Sequence, residues 1–110
     1  MKTIQLPKWT AKMPDPKDIS KTIDKEETLL DALRVCLDIA TGKENLAGFS
    51  NMQKLNRIGM SFDKAKESGT LSLEDDDYIM VKGFVEKYPP AQWGMNKNIM
   101  SAVTLFMELK

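Results

Sequence analysis

Residues 70–90 read TLSLEDDDYIMVKGFVEKYPP, and this stretch carries more local structural information than any other part of the chain. Leu71 and Leu73 alternate with polar residues, which predicts a very short strand. Four acids follow at positions 74–77, where they would be stabilised by the positive N-terminal end of a helix. Ser72 and Asp75 have the spacing of a capping box, so we expect a helix to begin here.

The body of this helix is aromatic and aliphatic, and it is expected to belong to the core. It runs through Tyr78, Ile79, Val81, Val85 and Tyr88. Pro89 and Pro90 end it, because a proline in a helix interior removes a hydrogen bond and clashes with the preceding turn. Gly83 inside the helix costs about 1 kcal/mol relative to Ala. We therefore expect another helix to pack closely against this glycine.

A second short strand is predicted at the start of the chain. Ile4 and Leu6 alternate with Thr3 and Gln5 before Pro7, which cannot donate to a ladder. Residues 3–6 are expected to pair with residues 70–73 in a two-stranded β-ribbon. Because two strands are only marginally stable alone, the ribbon should lie on the helices.

Residues 8–24 are rich in lysine and are interrupted by Pro14 and Pro16, a pattern that predicts an extended arm or a long ordered loop. Trp9 is expected to pack on the body of the domain or on a partner, as a tryptophan in a polar segment usually does. The sequence therefore divides into a strand and arm over residues 1–25 and a helical domain over residues 26–110.

The first helix is predicted to begin near Glu26, with Asp24 as its cap. Its apolar positions recur every three or four residues, and Gly42 marks its end. The positions concerned are Leu29, Leu30, Leu33, Cys36, Leu37 and Ala40.

For the second helix, Ser50 and Gln53 form a predicted capping box and Gly69 a terminator. Its expected inner face consists of Met52, Leu55, Ile58, Gly59, Phe62 and Ala65. A fourth helix follows a loop around Trp93, with Asn96 or Asn98 as the cap. Its expected inner positions are Ile99, Val103, Phe106 and Met107.

The predicted fold is mainly α: a single four-helix domain with an N-terminal extended arm and a short two-stranded β-ribbon. A chain of 110 residues that is 42% hydrophobic can bury a core without metal or disulfide help. The single cysteine allows no internal disulfide, which favours a reducing compartment.

The balance of charge gives no global attraction to nucleic acid or to anionic lipid, since 16 basic residues face 16 acidic ones. The sequence contains neither the apolar run of a secretory signal nor the approximately 18 apolar residues of a membrane span. We therefore expect a protein without a membrane partner, located in the cytoplasm or incorporated into an assembly made there.

Catalytic chemistry finds little support in the sequence. Histidine is absent, and with it the commonest general base. Cys36 lies on an apolar helix face, where a structural thiol is the favoured interpretation. The glycines are scattered and form no phosphate loop. We expect no enzyme, no catalytic residue and no cofactor.

The acidic run Glu74–Asp77 is the basis of the weakest hypothesis, a carboxylate- or metal-dependent enzyme. Calcium loops space their ligands at alternate positions and carry a glycine at the turn. This run has neither feature, so a solvated helix start is the favoured interpretation and no metal site is predicted.

A nucleic-acid-associated or transcription-regulating protein is the second hypothesis. Its candidate contacts are Lys8 and Lys12 in the arm, with Lys54, Arg57 and Lys64 on one flank of the second helix. A helix-turn-helix is disfavoured, because the second helix of the pair would present residues 74–77, whose acids phosphates repel.

The favoured hypothesis is a small non-catalytic protein–protein interaction module, which would act as an adaptor, a regulator or a subunit of an assembly, with another protein or a copy of itself as partner. Methionine and aromatic side chains are enriched at protein interfaces. The chain carries eight methionines and places several large residues beside loops. The predicted partner-binding residues are Trp9, Met13, Tyr88, Pro89, Pro90, Trp93 and Met95.

In size and organisation, with a strand and arm before a small helical domain, the chain resembles accessory proteins encoded by bacteriophages. No sequence motif carries this likeness, and no family is assigned from it.

Overall fold

Four helices and four strands make up most of the chain in the computed structural model, which describes residues 1–110. Helical residues, including a short 3₁₀ turn, make up 58% of the chain and strands 25%, so the fold is mainly α with more strand than predicted. In chain order the elements are β1 (Lys2–Gln5), β2 (Lys8–Asp15), β3 (Asp18–Thr28), α1 (Leu29–Lys43), α2 (Phe49–Ser68), β4 (Thr70–Leu73), α3 (Asp75–Lys87), a 3₁₀ turn (Ala91–Met95) and α4 (Lys97–Met107).

The predicted ribbon between the two short strands is confirmed. β1 pairs antiparallel with β4, and Ile4 lies opposite Leu71. Leu71 and Leu73 are both buried, so one face of the ribbon packs on the helices. Leu6 follows β1 rather than belonging to it, but its backbone N–H still donates to the carbonyl of Gly69 over 2.9 Å.

The prediction of an N-terminal extended arm or long loop is wrong. Residues 8–24 do not form an extended arm, because β2 and β3 pair as an antiparallel hairpin. Trp9 lies opposite Glu27 and Met13 opposite Ile23. Pro14 lies in β2 opposite Thr22, next to an irregularity in the register, and Pro16 lies in the turn between the strands. Neither proline therefore prevents the strands from pairing.

The predicted start and cap of the first helix are also wrong. Residues 24–28 stay extended because they pair with β2, so α1 begins at Leu29 and not near Glu26. Its cap is Thr28, and not Asp24: the Thr28 hydroxyl accepts from the backbone N–H of Leu30 over 3.2 Å. In return the Thr28 N–H donates to the carboxylate of Asp31 over 2.8 Å. The position between residues 25 and 26, where the sequence predicts a change from arm to helical domain, lies inside β3.

Both predicted capping boxes are wrong. α2 begins at Phe49 after Gly48, and the Ser50 side chain therefore lies inside the first turn and caps nothing. α3 begins after Glu74, with no side-chain cap from Ser72. Two other helix signals are confirmed. Gly69 ends α2 with a left-handed φ of 80°, and the Asn96 side chain accepts from the N–H of Ile99 over 3.1 Å.

The two caps can be compared directly by mutation. We expect Thr28→Ala to lower the free energy of unfolding by about 1 kcal/mol, because a helix N–H loses its acceptor. Ser50→Ala is the matched control and should change the stability by less than about 0.5 kcal/mol. Urea unfolding followed by circular dichroism measures both. A larger loss for Ser50→Ala than for Thr28→Ala would contradict the assignment of the caps.

The core is one cluster of 20 buried hydrophobic residues. α1 packs against α3 and α4, and α2 packs against β4 and α3. Tyr78 near the start of α3 meets Phe106 near the end of α4, with ring centroids 5.0 Å apart in an edge-to-face arrangement. α3 and α4 therefore run antiparallel.

Three predictions about helix faces are wrong. Ile79 and Met52 point to solvent, with exposed fractions of 65% and 58%, and Phe84 is a buried residue that the sequence did not single out. A Cβ added at Gly83 would meet no atom within 4 Å, so no helix packs closely there. Ile79 and Gly83 lie on the side of α3 opposite buried Val81. Met52 lies on the side of α2 away from buried Ile58. All three therefore face away from the core.

Candidate interaction surfaces

An apolar groove lies between the end of α3, the 3₁₀ turn and α4. We call it the C-terminal groove. Its volume is about 450 Å³. Thr104 and Glu108 are the polar side chains of its lining. Apart from Pro89, Pro90 and Gly94, the other lining residues are hydrophobic: Val85, Ala91, Trp93, Met100, Val103 and Met107.

Local sequence explains why the groove forms. Pro89 and Pro90 stop α3, and the carbonyl of Pro90 accepts from the N–H of Trp93 over 3.1 Å, which opens the 3₁₀ turn. The carbonyl of Trp93 in turn accepts from the N–H of Asn96 over 2.9 Å. Asn96 then caps α4. The chain thus reverses within a few residues and leaves the apolar sides of α3 and α4 open at one end.

The structure brings three of the predicted partner-binding residues together here. Pro89, Pro90 and Trp93 all line the C-terminal groove. Trp93, however, is not an exposed handle, because its side chain is only 6% exposed and belongs to the core. Met95 is 90% exposed beside the groove but is not part of its lining. Tyr88 is half-buried and packs against the core, also outside the lining.

The other two predicted partner-binding residues lie on the hairpin. Trp9 is half-buried and packs against the core, and its indole Nε1 is buried without a hydrogen-bond partner. Met13 is half-buried and lies opposite Ile23, which is 39% exposed. Neither residue lines the C-terminal groove, so the seven predicted residues do not form one surface.

Among the candidate nucleic-acid contacts, Arg57 has a structural partner. Its Nε donates to Oδ2 of Asp77 over 2.8 Å and its Nη2 donates to Oδ1 over 2.6 Å. Asp77 is only 1% exposed, so the guanidinium neutralises a buried carboxylate and ties α2 to α3. The sequence contains a signal for this burial, since Asp77 lies four residues before buried Val81 on the same helix face.

The remaining candidate bases do not gather into one basic surface. Lys64 lies beside Arg57 in a polar groove of about 740 Å³, but Glu67 and Glu74 also line it. Lys8 on the hairpin lies 3.8 Å from the carboxylate of Glu26. Lys12 is paired opposite Asp24, and Lys54 is half-buried. Acidic neighbours therefore reduce the positive field at most of these positions.

The structure also shows the surroundings of the Cys36 thiol and of the acidic run Glu74–Asp77. Cys36 is fully buried, and this burial raises the pKa of its thiol to about 11. Within the acidic run, Asp77 is bound by Arg57, and Asp75 lies 2.9 Å from the amino group of Met1. No three acidic or cysteine side chains lie close enough to form a metal site.

None of the helices combines the length and the apolar character needed to cross a membrane. Comparison with protein-family models, with curated proteins and with solved structures finds no match to this chain. Function is therefore inferred from its own surfaces.

Proposed function

We propose that this protein is a small, non-catalytic protein–protein interaction module, and that its C-terminal groove binds an apolar segment of a partner protein. The observation that carries the proposal is the apolar lining of the groove. A protein in this role would act as an adaptor, a regulator or a subunit of an assembly.

Exposed methionines in and beside the groove favour a protein segment over a small molecule. Small-molecule sites bury most of the ligand in a concave pocket and fix its orientation with a few precisely placed polar groups. Here Thr104 and Glu108 are the polar side chains available. Protein anchors, in contrast, are mainly apolar, and methionine adapts its shape to different partners. Met100, which lines the groove, is 44% exposed, and Met95 beside it is 90% exposed.

The charge of the groove lining indicates the charge that the partner segment carries. Glu108 is the charged residue of the lining, and a partner that covers it has to supply a positive group or leave a carboxylate desolvated. The expected ligand is therefore a short apolar segment that carries a lysine or arginine beside its apolar anchors.

Substitution of Met100 tests the proposal. In affinity capture from the native host, followed by quantitative mass spectrometry, we expect Met100→Glu to reduce recovery of the partner at least tenfold. Truncation of a central interface residue, or its replacement by a charged one, typically reduces the free energy of binding by about 2 kcal/mol. Leu105→Glu is the matched control, because Leu105 is 55% exposed on the same helix and does not line the groove.

A partner retained equally by Met100→Glu and wild-type protein would exclude the C-terminal groove as its site. Recovery of no protein above background by the wild type would contradict the interaction function itself. For a partner that passes this test, Glu108→Lys should weaken binding. A charge reversal of the partner's basic residue should then restore it.

A further inference from the structure

The outward side of α2 carries an unusual amount of exposed apolar surface. Phe49 is 73% exposed, Met52 58% and Met60 54%. These residues lie on one side of α2. The opposite side, with Ile58, Phe62 and Ala65, packs on the core. Single exposed apolar residues need no explanation, but several on one helix face indicate an interaction surface.

Asn56 completes this surface. Phe49, Met52, Asn56 and Met60 follow each other at spacings of three or four residues, so they form one continuous stripe along the helix. We call these four residues the outer stripe. The Asn56 amide Nδ2 lies 3.7 Å from the sulfur of Met60, which is a weak acceptor. Its hydrogen-bonding capacity is therefore largely unused within the chain.

We propose that the outer stripe is covered by a second copy of this chain, with the two α2 helices antiparallel about a two-fold axis at Asn56. The stripe has the symmetry that such a contact requires, because Met52 lies four residues before Asn56 and Met60 four residues after it. In a two-fold contact every surface meets itself in reverse. Met52 of each copy therefore packs on Met60 of the other.

The amide at the centre of the contact fits this arrangement. A side-chain amide has both a donor and an acceptor, so two Asn56 side chains on the axis bond each other reciprocally. A polar residue in the middle of an apolar helix contact is a known means of fixing register and the number of helices. The amide exchanges its weak contact with Met60 for this stronger bond.

Charge decides between antiparallel and parallel packing. α2 has no acid in its first turn and no side-chain cap on its N-terminal N–H groups. Glu67 and Asp63 lie further along the same outward side, and the exposed carboxylate of Asp63 is 3.4 Å from Nη2 of Arg34 on α1. Antiparallel packing places Asp63 of one copy beside Phe49 of the other, where the helix dipole stabilises an acid. Parallel packing would instead bring the acids of both copies together.

The size of the contact predicts its strength. The outer stripe spans about 17 Å between Phe49 and Met60, from the helical rise of 1.5 Å per residue. Four residues on each side are far fewer than the roughly 20–30 residues a side of a standard specific interface, so the association is expected to be weak. We expect a dimer that dissociates in the micromolar range, independently of any ligand in the C-terminal groove.

Cysteine cross-linking tests the geometry with the full chain. Asn56→Cys should form a disulfide-linked dimer on mild oxidation, because its two copies meet on the axis. Ser50→Cys is the exposed control on the same helix. Its symmetry mates would lie about 18 Å apart along the helix axis, beyond the reach of a disulfide. Met52→Cys and Met60→Cys should each fail alone and cross-link when mixed. Efficient cross-linking of Ser50→Cys, or of Met52→Cys alone, would overturn the antiparallel arrangement.

Sedimentation equilibrium provides the second measurement. The wild type and Leu105→Glu should associate with the same dissociation constant, whereas Met60→Glu should weaken association at least tenfold, because the charge would be placed against an apolar partner residue. Circular dichroism checks that each variant is folded. A wild-type protein that stays monomeric at several hundred micromolar would overturn the proposal. A dimer that Met60→Glu leaves unchanged would also overturn it.

Discussion

Replacement of Phe106 by Ala is expected to lower the free energy of unfolding by about 3 to 5 kcal/mol. Phe106 has no exposed surface and lies where α3 and α4 meet. Its removal opens a cavity in a single small core and deprives the Tyr78 ring of its edge-to-face partner 5.0 Å away. This loss is a large fraction of the free energy of unfolding of a marginally stable domain. Urea unfolding measures the loss.

Two comparisons separate packing from other effects of the substitution. Leu105→Ala removes a neighbouring large side chain that is 55% exposed and should cost less than about 1 kcal/mol. Tyr78→Phe removes only the hydroxyl that donates to the Phe106 carbonyl over 2.7 Å. It should cost about 1 to 2 kcal/mol. Equal losses for Phe106→Ala and Leu105→Ala would contradict the position of Phe106 in the core.

Replacement of Asp77 by Ala is expected to lower the free energy of unfolding by about 2 to 3 kcal/mol, because two charge-assisted hydrogen bonds to a buried carboxylate are lost. Arg57→Leu should destabilise the protein more than Asp77→Ala does. It leaves the carboxylate of Asp77 buried at 1% exposure without its counter-charge, whereas a released Arg57 can turn to water.

The double variant gives the sharpest test of this pair. Once Arg57 is replaced by Leu, the further replacement of Asp77 by Leu should restore part of the lost stability. Lys64→Leu is the control on the same helix, because Lys64 is exposed and forms no ion pair. If the effects of Arg57→Leu and Asp77→Leu simply add, the two side chains are not coupled as the structure places them.

The C-terminal groove can be predicted only in part from the sequence. Pro89 and Pro90 mark the end of α3 in any context, because they cannot continue a helix. Trp93 was recognised as a large residue beside them. Val103 and Met107 belong to the groove because α4 folds back against α3, and local pattern does not reveal that distance. The exposure of Trp93 was misjudged for the same reason.

The outer stripe cannot be predicted from the sequence, because helical periodicity alone does not show which side of a helix packs against the rest of the fold. Met52 satisfies the spacing of the expected inner face of α2, yet it lies on the outer side with Met60. The buried face is selected by β4, which packs along α2.

The helices and the β1–β4 ribbon follow from the sequence of this chain. Their signals are local: Gly69 adopts a left-handed conformation, Asn96 caps α4, and Leu71 and Leu73 alternate with polar residues. The hairpin is also a local element, with Asp15 opposite Asp18, but the prolines at positions 14 and 16 fit an extended arm equally well, so the pattern of this segment did not reveal the pairing. The burial of the Asp77–Arg57 pair and the two proposed surfaces were decided only by the tertiary structure. Each depends on which elements pack together, and the free energy of such contacts is set by what the completed fold buries and what it leaves exposed.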